Sequence, residues 1–304
     1  RLAFSRVVGK GPFSGATSLY TNGGPAPRVS LSAIDDATGL PPTWLTFPSA
    51  GTAGAPIPLT VDADGLAAGS HSATLLASEP GHATASTSGR LAARAAGAYL
   101  NLLYYANSSS IGNGTIGSFV RDLAEAAGFE PPNTVQRLVG GQNLAFHLND
   151  PGQAAAITQS LPLGEEWDYV VLQGFSLEAT VALGDPAQFV ANAVAILGNV
   201  KAHSPGARAV LYQTWARGPG HSVYPGAFAD PLEMHREVED GYRAAESAMN
   251  AAFGHGSARR AAAGEAVALR NFDAALYTTD LSHPRPGMSV MAFSAVHASI
   301  YGSR

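Results

Sequence analysis

The sequence predicts an α/β domain with a mostly parallel five-stranded sheet, preceded by a small all-β sandwich. From Arg28 to about Ala93, short β-type runs of alternating apolar and polar residues recur between Gly, Pro and Asp, at the spacing of about 8 to 12 residues that is typical of antiparallel sandwiches. From Leu100 onward, apolar strand-like runs alternate with longer helical patterns, which is typical of βαβ units. The texture changes around residues 93–99, so we predict domains over residues 1–95 and 96–304.

The elements of the second domain follow from its hydrophobic pattern. Strands are predicted at residues 99–106, 134–139, 167–173, 207–213 and 265–269. Helices are predicted at residues 115–127, 151–160, 185–203 and 229–253, and from Pro286 to about residue 301. The third and fourth strands are almost continuously apolar, as strands buried on both faces are. Pro186 and Pro231 lie close to helix starts, where proline is favoured at the first helical position.

Composition excludes several classes of function. The net charge is −5 and the 18 Lys and Arg residues are scattered, so no basic footprint for nucleic acid or an anionic membrane is present. No apolar run reaches the roughly 18 residues of a membrane span. The chain has no cysteine, which excludes disulfides and thiolate chemistry, and it lacks the Gly-rich motifs of nucleotide-binding loops. Because it begins at Arg1, we expect a mature or trimmed product.

A cluster of hydroxyl groups lies where the first strand of the second domain ends. The stretch "ANSSSIGNG" places Ser108, Ser109 and Ser110 at this point, and ligands of α/β sheets bind beyond the carboxyl ends of the strands. On chemistry alone each serine is a candidate nucleophile, and a helix-capping cluster is the structural alternative. A serine nucleophile needs a base within hydrogen-bond reach and an acid that orients the base.

Candidates for both partners occur late in the chain, in "TTDLSHPRPG". Asp280 precedes His283 by three residues. Pro284 and Pro286 prevent the loop that carries these two residues from forming a helix. In such a turn the carboxylate can accept from Nδ1–H of the imidazole while Nε2 faces a serine. The structural alternative is an ordinary solvated turn.

Five stretches in one order provide further context: "ANSSSIGNG", "LVGGQNLAFHL", "WDYVVLQGFS", "LYQTWAR" and "DLSHPRPG". Together they resemble the SGNH (GDSL-type) hydrolase superfamily over about residues 98–302. The resemblance implies a three-layer, flavodoxin-like domain and a serine hydrolase that uses no metal or other cofactor. Two departures from the family pattern are Ala106 in place of a first-block glycine and Gln173 in place of the usual third-block asparagine.

The resemblance also implies a role for each matching residue. Ser108 is the implied nucleophile, His283 the general base and Asp280 its orienting partner. The implied oxyanion hole consists of the Ser108 amide, Gly141 and the Gln173 side chain, which would donate to the developing negative charge. Trp215 and Arg217, in the fourth block, are expected to line the substrate cleft. The structural alternatives are a tight turn at Gly141, a satisfied core amide at Gln173 and core packing at Trp215.

A metal site is a weaker hypothesis. His221, Asp230, Glu233 and His235 form a short cluster of imidazole and carboxylate groups, which suits zinc or manganese. No fixed ligand spacing such as H-E-x-x-H occurs among them. We therefore expect no metal.

Residues 41–78 resemble bacterial Ig-like repeats. The matching pattern runs from "WL" at Trp44 and Leu45 to "DADGLAAG", in which Gly65 and Gly69 are expected in turns. Such modules accompany extracellular bacterial enzymes, so we expect a secreted or periplasmic protein. The module is expected to serve as a spacer or stabilising domain, and a binding role is the alternative.

The function we expect is hydrolysis of carboxylic esters through an acyl-enzyme. The resemblance implies removal of acetyl groups from carbohydrate, with a small-molecule or polysaccharide ester as substrate; polyesters are a second substrate class. The alternative from a different class is a non-catalytic glycan-binding protein. The presence of Ser108, Asp280 and His283 together favours the enzyme.

Overall fold

The computed structural model describes residues 2–7, 12–18, 27–53, 55–67, 69–80, 84–94, 99–162 and 164–302. The chain divides into two compact units, one of residues 1–98 with 161–165 and one of residues 99–160 with 166–304. The predicted boundary at residue 95 falls within residues 95–98, outside the described residues.

The described part of the N-terminal unit is built from β-strands. They are β1 (Leu2–Val7), β2 (Phe13–Ser18), β3 (Arg28–Asp35), β4 (Leu45–Thr46), β5 (Ala50–Thr52), β6 (Pro56–Val61), β7 (Gly69–Ser78) and β8 (Ala85–Arg94). One sheet has the order β1-β8-β7-β3-β5 and the other β2-β6-β4. All their pairings are antiparallel except β1 with β8, which is parallel.

Apolar side chains from both sheets form one buried cluster. It contains Trp44, Leu45, Leu59, Val61, Ala63, Ala73 and Leu91. Trp44 and Leu45, with which the Ig-like pattern begins, are 2% and 4% exposed. The Ig-like assignment of this unit stays a prediction.

The second unit contains a parallel sheet of five strands. They are β9 (Asn101–Ala106), β10 (Asn133–Leu138), β11 (Tyr169–Leu172), β12 (Arg208–Tyr212) and β13 (Ala258–Ala261). Their order is β10-β9-β11-β12-β13, and every neighbouring pair is parallel. This is the 2-1-3-4-5 order of flavodoxin-like sheets, in which the order reverses between the first and third strands. Ligands bind at that point, so the carboxyl ends of β9 and β11 are where a site is expected.

Helices cover the sheet. They are α1 (Ile116–Ala126), α2 (Leu144–Asn149), α3 (Pro151–Gln159), α4 (Pro186–His203), α5 (Pro231–Phe253), α6 (Ala263–Ala268) and α7 (Pro286–Tyr301). Every residue of β9 and β11 is buried, which explains their continuous apolar sequence. Pro186 and Pro231 are the first residues of their helices, as predicted, and each follows an aspartate whose side chain caps the helix. No helix in the described part of the chain is long and apolar enough to cross a bilayer.

The predicted fifth strand at residues 265–269 is wrong. These residues belong to α6 and the turn after it, while the fifth strand is β13, whose sequence is A-R-R-A. The edge strand β13 contains two arginines at its centre, so it could not be predicted from a run of apolar residues. Arg260 is accommodated there because it pairs with the carboxylates of Glu239, Glu246 and Glu265.

Candidate active site

The serine cluster forms a tight turn directly after the central strand β9. Ser108–Ser110 is a single turn of 3₁₀ helix, and the Asn107 side chain caps it by accepting from the Ser109 amide at 3.2 Å. Asn107 Nδ2 donates to the Gly174 carbonyl at 2.9 Å, which ties the turn to the end of β11. The Ser110 hydroxyl is buried and donates to Gln173 Oε1 at 2.8 Å. Ser108, at the start of the turn, is the half-buried member of the cluster.

Ser108, His283 and Asp280 form a continuous hydrogen-bonded chain. Ser108 Oγ lies 2.9 Å from His283 Nε2. His283 Nδ1 lies 2.5 Å from Asp280 Oδ2. Because a carboxylate only accepts, Nδ1 carries the imidazole proton and Nε2 keeps its lone pair for the serine hydroxyl. The arrangement has the geometry of a serine nucleophile with its base and orienting acid.

The other carboxylate oxygen of Asp280 organises the loop that carries His283. Oδ1 accepts from Thr278 Oγ1 at 2.6 Å, from the Ser282 amide at 2.9 Å and from the His283 amide at 3.0 Å. Burial alone would raise the pKa of Asp280, but these hydrogen bonds and the one from the imidazole outweigh it and hold the pKa well below its usual range. Asp280 is therefore ionised at neutral pH and available to stabilise an imidazolium.

Two more side chains hold this loop from outside. Trp215 Nε1 donates to the Ser282 carbonyl at 3.1 Å. Asn113 Nδ2 donates to the Pro284 carbonyl at 2.8 Å and to Ser289 Oγ at 2.9 Å. Residues 281–285 form no helix. Hydrogen bonds to the carbonyls of Ser282 and Pro284 hold this loop on both sides of His283.

The triad opens into a cavity of about 460 Å³ at the carboxyl edge of the sheet. Its walls include Ser108, Gly140, Gly141, Phe175, Arg217 and His283. Gly140 lies close to Ser108, since a Cβ added to it would be 3.8 Å from Ser108 Cβ. Gly141 has a φ of +72°, a conformation that favours glycine, and it completes a turn closed by the Gln142 amide on the Val139 carbonyl at 3.3 Å.

Two backbone amides at the cavity remain available to a ligand. The Ser109 amide donates to Asn107 Oδ1 and the Ser110 amide donates to the Asn107 carbonyl. By contrast, neither the Ser108 amide nor the Gly141 amide donates a hydrogen bond within the described residues. Both residues line the cavity, so their amides are candidates for stabilising an oxyanion.

Gln173 lies behind the serine turn. It is fully buried, and its Oε1 accepts from the Asn107 amide at 3.3 Å and from the Ser110 hydroxyl. Its Nε2 is buried and has no hydrogen-bond partner among the described residues. The contacts of Gln173 support the turn from below; its implied role as an oxyanion donor stays a prediction.

Trp215 and Arg217 have different surroundings. Trp215 is 3% exposed and packs beside the Tyr212 ring, so its contacts are those of a core residue that supports the Ser282 carbonyl. Arg217 is half-buried on the cavity wall beside Asp280 and His283. Of the two residues expected in the substrate cleft, Arg217 is the one that reaches it.

The candidate metal ligands serve other purposes. Asp230 caps α5 and accepts from the Glu233 amide, while the Glu233 carboxylate accepts from the Ala229 amide. His235 is buried against the Phe272 ring. Within the described ranges, no group of three or more His, Asp or Glu side chains could hold a metal ion.

Sequence reasoning missed the residues that hold the triad in place. Asn107, Asn113 and Thr278 each fix a segment that carries a triad member. Asn113 could be noticed only as part of "IGNG", since its partner lies 171 positions away. Thr278 had a local signal, because a threonine two residues before an aspartate can close a turn on it.

Comparison with known proteins identifies the fold. No protein-family model matches the sequence, and no curated protein matches it. Solved structures do match. A protein from Slackia heliotrinireducens assigned to the SGNH hydrolases aligns with a TM-score of 0.53 and 22% identity, covering 66% of this chain and 99% of that one. A protein from Parabacteroides merdae ATCC 43184 assigned to the GDSL-like lipases aligns with a TM-score of 0.50 and 13% identity, covering 67% and 96%. This chain therefore contains a domain with the fold of the SGNH hydrolases.

Proposed function

We propose that the protein is a serine esterase that hydrolyses carboxylic esters through an acyl-enzyme on Ser108. The observation that carries the proposal is the chain of contacts from Ser108 Oγ to His283 Nε2 at 2.9 Å and from His283 Nδ1 to Asp280 Oδ2 at 2.5 Å. It lies in a cavity at the carboxyl edge of a parallel sheet, where substrates of such folds bind.

The proposed reaction has two halves. Ser108 Oγ attacks the ester carbonyl carbon while His283 Nε2 accepts the hydroxyl proton, and the imidazolium is stabilised by Asp280. The oxygen of the tetrahedral intermediate accepts from the Ser108 and Gly141 amides. His283 then donates its proton to the departing alcohol. Water, deprotonated by the same imidazole, attacks the acyl-enzyme and releases the carboxylic acid and Ser108.

The proposed substrate is an acetyl ester of a carbohydrate, with polyesters as a second class. Support for the carbohydrate comes from the family resemblance of the five sequence blocks. We also propose that the N-terminal unit is an Ig-like spacer module and that the protein acts outside the cytoplasm. Fractionation of bacterial cells that express the tagged protein from its own gene would test the location.

A fluorophosphonate probe followed by peptide mass spectrometry tests the catalytic proposal. We expect one adduct, on Ser108, and hydrolysis of 4-nitrophenyl acetate that Ser108→Ala reduces by at least about 10³-fold. Ser176→Ala is the matched control, because Ser176 lines the same cavity and its hydroxyl makes no contact with His283. An adduct on Ser109 or Ser110 would show that this serine, and not Ser108, is the nucleophile. Absence of any adduct on folded protein would reject the enzyme in favour of a glycan-binding protein.

A further inference from the structure

Arg217 brings a positive charge to the wall of the catalytic cavity. It follows the carboxyl end of β12, the strand next to β11, and lines the cavity together with Ser108 and His283. Its side chain is half-buried, and burial lowers its pKa while the nearby Asp280 carboxylate raises it. A guanidinium keeps its charge under these conditions because its usual pKa is above 12.

This charge has no direct partner in the described part of the protein. The guanidinium of Arg217 makes no hydrogen bond there and no carboxylate lies within 4.0 Å of it, while its Nε is buried and unsatisfied. The Asp280 carboxylate interacts with Arg217 through its charge, but its two oxygens already accept four hydrogen bonds, from Thr278, Ser282 and His283. A partly buried cation without a partner is unfavourable, so a ligand that pairs with it would gain the missing interaction.

The main chain around Arg217 is held in place. Its amide contacts Met234 Sδ at 3.3 Å, and its carbonyl accepts from the Tyr224 hydroxyl at 3.0 Å. The preceding carbonyl, of Ala216, accepts from the Tyr277 hydroxyl at 2.9 Å. Arg217 therefore starts from a fixed point beside the triad, which reduces the entropy that binding would cost.

The other titratable groups around Arg217 leave the positive charge uncompensated. His221 has its pKa lowered by burial and by Arg217 itself, so it is neutral near pH 7. Burial raises the pKa of Tyr224 and Tyr277 above their usual values, so both are neutral too. Asp280 contributes the one negative charge on this wall, and it is committed to His283.

We propose that Arg217 binds a carboxylate group of the substrate, so that the preferred esters are anionic. The inference rests on the proposed esterase function and specifies its substrate class. A guanidinium donates two parallel hydrogen bonds to a carboxylate, which a neutral ester cannot accept. The anionic group can belong to the alcohol part or to the acyl part of the ester, and two substrate pairs distinguish these sources.

Each pair compares an anionic ester with its uncharged analogue. For the alcohol part the pair is 4-acetoxybenzoate and methyl 4-acetoxybenzoate. For the acyl part the pair is mono-4-nitrophenyl adipate, which keeps one free carboxylate, and methyl 4-nitrophenyl adipate, in which that carboxylate is esterified. The quantity measured is the ratio of kcat/KM for the anionic ester to kcat/KM for the neutral one. We expect Arg217→Gln to lower this ratio about 10- to 100-fold for one pair, the range that a charge-assisted hydrogen bond produces.

Two further variants control for charge and for folding. Arg208→Gln removes the same charge from the exposed amino end of the same strand β12, and we expect the ratio to stay at its wild-type value. Arg217→Lys keeps the charge but loses the paired geometry, so it should recover part of the ratio. Isothermal calorimetry with the Ser108→Ala protein compares the binding of 4-acetoxybenzoate with that of methyl 4-acetoxybenzoate. It measures the same preference without hydrolysis.

The outcomes separate this inference from the proposed function. If the wild type hydrolyses neither member of either pair, the esterase proposal fails, and calorimetry still tests the carboxylate site. If both members are hydrolysed and Arg217→Gln leaves both ratios within about twofold of wild type, the carboxylate site is rejected while the esterase stands. An equal change in Arg208→Gln would also reject it, because the effect would then come from net charge.

Discussion

Replacing Asp280 with asparagine tests how the triad works. The substitution keeps the size of the side chain and removes its negative charge, so the imidazolium formed during catalysis loses its stabilising partner. Asp280 and His283 are 48% and 44% exposed, and Nδ1 and Oδ2 are 2.5 Å apart. Solvent therefore screens this pair more than it screens a fully buried triad.

The expected loss follows from Coulomb's law. Opposite unit charges about 4 Å apart attract by about 1 kcal/mol in water and by about 4 kcal/mol at an effective dielectric of about 20. At 1.36 kcal/mol for each factor of ten, this range corresponds to roughly 5- to 1000-fold in rate. For a pair of intermediate exposure we expect Asp280→Asn to lower kcat by about 10²-fold, less than the roughly 10⁴-fold loss in a buried triad.

The assay is hydrolysis of 4-nitrophenyl acetate at pH 8, together with the rate of fluorophosphonate labelling. Asp273→Asn is the matched control, since Asp273 is an exposed aspartate whose carboxylate accepts a single hydrogen bond among the described residues, from the Ala275 amide at 2.9 Å. The reasoning is refuted if Asp280→Asn retains more than a third of the wild-type kcat, or if Asp273→Asn loses as much.

Three further predictions concern stability and the supports of the triad. Because the folded pKa of Asp280 is depressed below its unfolded value of about 3.9, its contribution to stability is fully present above about pH 5 and decreases progressively as the pH falls below about 4 towards the folded pKa. Urea unfolding should therefore show the difference between wild type and Asp280→Asn shrinking between pH 6 and pH 2.5, and a constant difference would contradict this. Asn113→Ala removes one hydrogen bond to the Pro284 carbonyl in the loop of His283 and one to Ser289 Oγ in α7, so we expect the unfolding free energy to fall by about 1 to 3 kcal/mol and kcat to fall with it. An unchanged kcat would show that Asn113 does not position the imidazole. Gln173→Ala leaves the Ser110 hydroxyl and the Asn107 amide without their acceptor, so we expect a similar loss of stability by urea titration. A loss of about 10² to 10³ in kcat would identify Gln173 as an oxyanion donor, and a change of less than tenfold would show that it only supports the serine turn.

Much of the α/β fold could be predicted from local patterns. The strands β9, β11 and β12 are recognisable because strands buried on both faces consist mostly of apolar residues. Helices α4 and α5 are recognisable because aspartate and proline mark their starts. The strand β13 was missed because its two arginines are stabilised by residues distant in sequence. Arg260 pairs with Glu239 and Glu246 of α5, and Arg259 donates to the Ser299 carbonyl of α7.

The residues of the candidate site could be predicted from the sequence. Their contacts with one another could not. Sequence order alone could not choose between three adjacent serines, and the structure separates them by their partners: His283 for Ser108, and Gln173 for Ser110. Trp215 and Arg217 are two positions apart in one sequence block, yet one lies in the core and the other on the cavity wall. That difference depends on packing against the loop of Ser282, which is distant in sequence.

By itself, the sequence determined the alternation of strands and helices, the polar ends of the strands and the short Asp280–His283 turn, because each depends on residues within a few positions of one another. Only the tertiary structure decided that Ser108 and His283, 175 positions apart, meet at 2.9 Å. It also decided that Arg217 faces their cavity without a partner among the described residues. The physical reason is that parallel strands bring their carboxyl ends to one edge whatever their separation along the chain, and burial there determines which polar groups stay available for chemistry.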